Sequence, residues 1–213
     1  MLEVLKNTTY RHLFLAQVIA LIGTGLITIA LALQAYDIAK GQAAQVLGIA
    51  LAIKMIAYIG VAPIASAFAE RLPRKKVLVG LDVIRALTAL CLPFVTQIWQ
   101  IYILIFILQS ASAAFTPTFQ AMIPEVLPIE EEYTKALSLS RLAYDLENII
   151  SPMLAGLLLT VMSYHNLFLG TVVGFIGSAL FVVSAKLPNA KMPEFIGVYN
   201  LSLIHISEPT RPR

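Results

Sequence analysis

The sequence predicts an all-α protein, a polytopic bundle of six membrane-spanning helices. Three observations carry that prediction. The 213-residue chain is 59% hydrophobic and 13% charged, with a mean hydropathy of +0.83, well outside the balance of a soluble domain. Its apolar residues fall into six runs, each near the roughly 20 residues that a helix needs to cross a bilayer. Its Lys and Arg residues gather in alternate connections between those runs.

The first run, 12–36, follows Lys6 and Arg11. It outlasts the apolar core of a cleaved signal peptide, about 7–15 residues, and no small-residue cleavage site closes it, so it reads as a retained helix. Asp37 to Gln45, with Gly41, supplies the turn into the second run, 44–69. Leu72-Pro73 precedes 76–96, and Thr96-Gln97 precedes 98–122. Pro124 to Glu132 separates that run from 136–162, and Ser163 to Asn166 is a short link to 164–186. In lipid every backbone polar group must be satisfied within its own segment, so apolar runs of this length are helices. Core helices of a soluble protein would show polar faces that these runs lack.

Lys6, Arg11, Arg71, Arg74, Lys75, Lys76, Lys135, Lys186 and Lys191 fall on one side of the predicted bundle, and Lys40 alone on the other. Both ends of the six-helix unit are therefore expected in the cytoplasm. The carboxylates of Glu125, Glu130, Glu131 and Glu132 carry little weight in that rule. The expected organisation is a cytoplasmic N-terminus over 1–11, a membrane domain over 12–188 and a cytoplasmic segment over 189–213. The last stretch, LSLIHISEPTRPR, resembles a translated sequencing adapter, so it is set aside and the natural chain is expected to continue beyond it.

Several functions are disfavoured. One cysteine, Cys91, allows neither an intrachain disulfide nor a thiolate metal cluster. His12 and His165 belong to opposite membrane faces, no HExxH or GxSxG motif occurs, and no metal site, cofactor or enzymatic activity is expected. The basic residues are few and have no aromatic platform, which argues against nucleic acid.

Polar residues inside the runs follow helical spacing. Gln17, Thr24 and Thr28 share one stripe, as do Gln109, Ser112, Thr116 and Gln120. Close helix packing accounts equally well for Thr24, Thr28 and Ser112, whereas Gln17 and Gln109 are larger and costlier to bury. FLAQ (14–17) and FILQ (106–109) place the two glutamines alike in the two three-helix units, a trace of an inverted repeat. In the fifth run Arg141, Asp145 and Asn148 share a stripe, and Tyr144, Glu147 and Ser151 another. Arg141 and Asp145 can pair one turn apart, but Glu147 has no such neighbour. Lys54 sits about 15 Å from the outer end of its helix, where a charge costs about 2.5–3.5 kcal/mol on insertion scales. Gln17, Lys54, Gln109, Asp145, Glu147 and Asn148 are the expected cavity residues.

The connection between the second and third runs, SAFAERLPRKK (66–76), resembles the loop signature G-x-L-a-D-R-x-G-R-K of the major facilitator superfamily. Ser66 replaces the first glycine, Glu70 the aspartate and Pro73 the turn glycine. GLDVIRALTAL (80–90), PTFQAMIPEVLP (117–128) and ALSLSRLAYDLENIISPMLAGLL (136–158) resemble successive segments of its drug- and siderophore-exporting branch. The resemblance implies six helices as two inverted three-helix repeats, forming half of a twelve-helix transporter. It also implies a cytoplasmic conformational latch made of Glu70, Arg71, Arg74, Lys75, Asp82 and Arg85. For Arg74 and Lys75, topology alone is an equally good account. The family's helix-packing motif G-P-x-x-G-G appears as Ser151-Pro152-Met153-Leu154-Ala155-Gly156, and Phe106 stands where a coupling arginine would precede Gln109.

The expected function is export of a small amphipathic molecule by alternating access, coupled to a proton or other ion. The expected partners are the lipid bilayer, a missing C-terminal six-helix half and the small-molecule substrate. The expected location is a bacterial inner membrane. An uptake carrier of the same fold and a non-transporting scaffold or receptor are the alternatives.

Overall fold

A computed structural model describes residues 2–39, 41–69 and 73–185. Six long helices make up the bundle: α1 (Thr8–Ala39), α2 (Ala43–Ala69), α3 (Arg74–Cys91), α4 (Ile98–Val126), α5 (Glu130–Leu159) and α6 (Tyr164–Ser184). All six are long and apolar enough to cross a membrane. Single turns of 3-10 helix precede α1 (Leu2–Lys6) and follow α3 (Leu92–Phe94). The adapter-like tail lies outside the described residues.

Helix boundaries depart from the hydropathy reading where polar residues build the helix ends. Asn7 Oδ1 accepts the Thr9 and Tyr10 N–H groups at 3.0 and 3.1 Å, so α1 starts at Thr8 rather than 12. Helix α5 begins six residues earlier than expected, at Glu130, because Glu130, Glu131 and Glu132 complement the positive end of the helix dipole. Helix α4 runs through Pro124 to Val126, where a break was expected. Its start is held by Gln100 Oε1, which accepts the Gln97 N–H at 3.1 Å. Gly41, at φ 105°, makes the turn after α1 in a conformation that other residues rarely adopt.

Helix α1 is the most enclosed element, packing on α6 along a seam of small residues. Thr171 Oγ1 donates to the Gly23 carbonyl at 3.0 Å, and a Cβ on Gly174 would come within 3.3 Å of the Gly23 Cα. Without a hydrophobic drive between helices in lipid, such close backbone approach is what holds them together. Tyr10 Oη donates to the Ala136 carbonyl at 3.1 Å and ties α1 to α5 near one end.

The pattern of neighbours has an internal symmetry. Exchanging α1 with α4, α2 with α5 and α3 with α6 maps the α1–α6 contact onto α3–α4, and α1–α5 onto α2–α4, while α3–α6 maps onto itself. Each unit has three crossings, an odd number, so the second unit enters the membrane from the opposite side. The two repeats are inverted.

Helices α2 and α5 pack on α4 and α1 respectively but are the least enclosed of the six. They expose large apolar side chains, including Ile56, Ile59 and Ile64 on α2 and Ile149, Met153 and Leu157 on α5.

Candidate functional site

A cavity of about 870 Å³ runs between α1, α2, α4 and α5, with Arg85 of α3 reaching into its wall. Helix α1 contributes Gln17, Thr24, Gly25 and Thr28, and α2 contributes Lys54, Met55 and Tyr58. Helix α4 lines it from Ser112 to Gln120, and α5 from Tyr133 to Pro152. Thr116 and Tyr144 hydroxyls meet at 3.0 Å and link α4 to α5. The Thr24 and Thr28 hydroxyls donate back to the Ala20 and Thr24 carbonyls, at 3.0 and 2.8 Å, so both are satisfied within their own helix.

Of the expected cavity residues, Gln17, Lys54, Asp145, Glu147 and Asn148 all lie on this wall. Lys54 and Glu147 are both half-buried and face the same cavity, one from α2 and the other from α5. Lys54 Nζ also stands 6.0 Å from the centre of the Tyr58 ring, one turn along α2. Arg141 Nε and Asp145 Oδ1 are 3.9 Å apart and well exposed, as spacing within one helix predicts. Asn148 Nδ2 donates to the Tyr144 carbonyl at 3.0 Å.

Gln109 is not on the wall. The α4 lining begins one turn away, at Ser112. On α4 the lining stops one turn short of Gln109, so the likeness of FLAQ and FILQ does not extend to the cavity.

The six residues grouped as a latch separate into two sets, apart from Glu70 and Arg71, which lie outside the described residues. Near the start of α3, Arg74 pairs with Glu125 and donates to the Ala121 carbonyl at 2.6 Å, joining α3 to the end of α4. Lys75 Nζ donates to the Val183 and Ala185 carbonyls at 2.6 and 2.8 Å, capping the negative end of α6. Asp82 and Arg85 belong elsewhere: about two and three turns into α3 they are fully buried. They pair with each other, Ser178 Oγ donates to Asp82 Oδ2 at 2.7 Å, and the Arg85 guanidinium carbon lies 4.2 and 4.5 Å from the Phe115 and Phe175 ring centres. The resemblance implies that they join the cytoplasmic latch; here α3 turns that face toward α4 and α6, both of which pack on it.

The helix-packing motif divides as well. Ser151 and Ala155 are buried, with Ser151 pressed on Gly25 of α1, whereas Pro152 borders the cavity and Gly156 faces open space. Sequence reasoning missed Tyr58 and Arg85 as wall residues. Tyr58 was within reach, since it follows Lys54 by one helical turn. Arg85 was not, because only the packing of α3 aims it inward.

Residues 13–208 match the Major Facilitator Superfamily profile. The chain is similar to macrolide efflux protein A of Streptococcus pyogenes, 27% identical over 81% of this chain and 43% of the relative. It is similar to macrolide efflux protein A of Enterococcus faecalis, 28% identical over 68% of this chain and 46% of the relative. A Bacillus subtilis protein named as an uncharacterized MFS-type transporter is 28% identical over 58% of this chain and 28% of its own length. The chain thus spans less than half the length of these relatives.

Proposed function

The chain belongs to the Major Facilitator Superfamily and is a multi-pass membrane protein, and from that premise we propose that it is the N-terminal half of a secondary active transporter that exports small amphipathic molecules. The observation that carries the reading is the cavity of about 870 Å³, walled by polar and charged side chains on helices otherwise suited to lipid. Its size is that of a small-molecule site, about 300–1,000 Å³. The relatives' names make macrolides the first cargo class to test.

Residues 12–188 form the unit, and a second six-helix bundle is the partner that completes it. Helices α2 and α5 flank the cavity and expose large apolar side chains beside it. A second bundle packed there would close the site at the junction of the halves, where rocking of one half against the other gives alternating access. The Lys and Arg bias supports a cytoplasmic side for the α2–α3 and α4–α5 connections, and in this reading the membrane is a bacterial inner membrane. There Arg74 with Glu125, and Lys75 on the end of α6, belong to a cytoplasmic latch. Glu70 and Arg71 belong to the same latch by their place in the loop signature.

Lys54 and Glu147 are the coupling residues in this reading. A charge held in a membrane helix without function is costly, and these two face one cavity from α2 and α5. A proton or a cationic cargo arriving at Glu147 would cancel its attraction for Lys54 across the cavity, linking ligand charge to the position of both helices. Purified full-length protein in proteoliposomes with an imposed proton or sodium gradient tests the whole reading. The expected result is gradient-dependent movement of radiolabelled erythromycin. Absence of coupled flux with either gradient would refute it.

A further inference from the structure

The charged side chains that line the cavity are Lys54, Arg85, Arg141, Asp145 and Glu147. Three of them are compensated where they stand. Arg85 pairs with Asp82 inside the protein, and Arg141 with Asp145 one turn along α5, at 3.9 Å. Lys54 and Glu147 remain. Among the described residues neither forms a salt bridge or a side-chain hydrogen bond, although both are half-buried on the same cavity. They also stand at one level of the bundle. Lys54 is eleven residues from the Ala43 end of α2, and Glu147 is twelve from the Leu159 end of α5. Those ends share a membrane face, so each charge is about 17 Å from it along its helix. Glu147 is set against α1, where a Cβ on Gly25 would lie 3.2 Å from its Oε1, and Lys54 Nζ is 6.0 Å from the Tyr58 ring centre.

A single charge within a membrane helix is costly, and two opposite charges cancel much of that cost when they pair. Here they do not pair, so the cavity keeps one positive and one negative pole on different walls. A molecule that carries both signs compensates both poles at once. We infer that the cavity is built for zwitterionic cargo, an ammonium and a carboxylate held apart on an apolar frame. The ammonium goes to Glu147 and the carboxylate to Lys54. A monocation compensates Glu147 but is repelled by Lys54, and a monoanion suffers the reverse. The two residues that attract a zwitterion therefore discriminate against singly charged molecules. Arg85 and Arg141, each beside its own carboxylate, add no further net charge to that balance. The assignment rests on reading the cavity as the cargo site, and it names the charge class of the cargo.

Calorimetric binding to the purified full-length protein tests this with three probes on one skeleton. Norfloxacin carries an ammonium and a carboxylate at neutral pH, its ethyl ester keeps only the ammonium, and N-acetylnorfloxacin keeps only the carboxylate. Norfloxacin should bind about tenfold tighter than either derivative, because each loses one charge-assisted contact. Lys54→Met should weaken norfloxacin about tenfold and leave the ester unchanged or tighter. Glu147→Gln should do the same with N-acetylnorfloxacin as the probe that is spared. The spared probe reports that the site is still folded, and Lys54→Arg, which keeps the charge, should keep the preference for norfloxacin. Equal binding of the three probes by wild type, or no binding of any, overturns the assignment and leaves the export reading standing. So does a parallel loss of norfloxacin and its ester in Lys54→Met. A site with the expected preference in a protein without gradient-driven flux overturns the export reading and leaves the assignment standing.

Discussion

Gly25 on α1 crosses α5 at Ser151, and that crossing can be broken by a single methyl group. A Cβ at Gly25 would come nearer to Ser151 Cβ and Oγ than the 3.0 Å that real Cβ atoms keep, and 3.2 Å from Glu147 Oε1. Ser151 cannot yield by rotating, because its Cβ is fixed to the α5 backbone; the helices must part or the turn must distort. Overpacking of this kind costs about 1–3 kcal/mol, so Gly25→Ala should destabilise by about 2 kcal/mol. Ser151→Gly returns the space at the cost of a helical glycine, about 1 kcal/mol. Combining the two should therefore give a loss smaller than their sum, with a coupling energy of about 1–2 kcal/mol. Reversible unfolding of the full-length protein in mixed micelles, on wild type, both single variants and the double variant, yields that coupling directly. Because Glu147 borders the same contact, Gly25→Ala should also slow transport, and the double variant should recover part of it. Strict additivity, or a Gly25→Ala protein within about 0.5 kcal/mol of wild type, would refute the close crossing of α1 and α5.

Three further outcomes are expected. Asp82→Asn should destabilise by about 3–5 kcal/mol, because it leaves the Arg85 charge buried without its partner, whereas Ser178→Ala should cost only about 1–2 kcal/mol; the same unfolding titration ranks them, and equal effects would count against the buried pair. Glu147→Gln and Lys54→Met should each remove the gradient dependence of flux in proteoliposomes, and the exchange Lys54→Glu with Glu147→Lys should restore part of it; full activity of either single variant would exclude the pair from coupling. In a Cys91→Ser background, a membrane-impermeant maleimide should label Ser163→Cys on intact cells and Lys76→Cys only after permeabilisation; the reverse pattern would invert the proposed orientation.

How much of this was legible in the sequence follows from the range of the forces involved. The six helices were readable because burying a backbone in lipid leaves one solution for a long apolar run, whatever surrounds it. The helix ends were less so: Asn7 and the three glutamates at the start of α5 extend their helices through local hydrogen bonds and dipoles that a hydropathy count ignores. Lys54 and Glu147 were readable because an unpaired charge inside a membrane helix is improbable without a reason. The sequence could not say that the two face one cavity.

Gln109 and Arg85 mark where residue-by-residue reasoning stops. FLAQ and FILQ look equivalent on paper, yet only Gln17 is on the cavity wall. Arg85 shares a stretch with the basic loop residues, so its charge looks like part of their cluster, but the rotation of α3 about its axis buries it between Phe115 and Phe175. Both cases have one physical origin. Which helix face meets which neighbour is settled by packing between elements, and in this bundle packing depends on small residues such as Gly23, Gly25 and Gly174 whose side chains carry no pattern to read. The charges and amides that matter for transport are therefore recognisable as costly in the sequence, while what they are aimed at is set by glycines elsewhere in the chain.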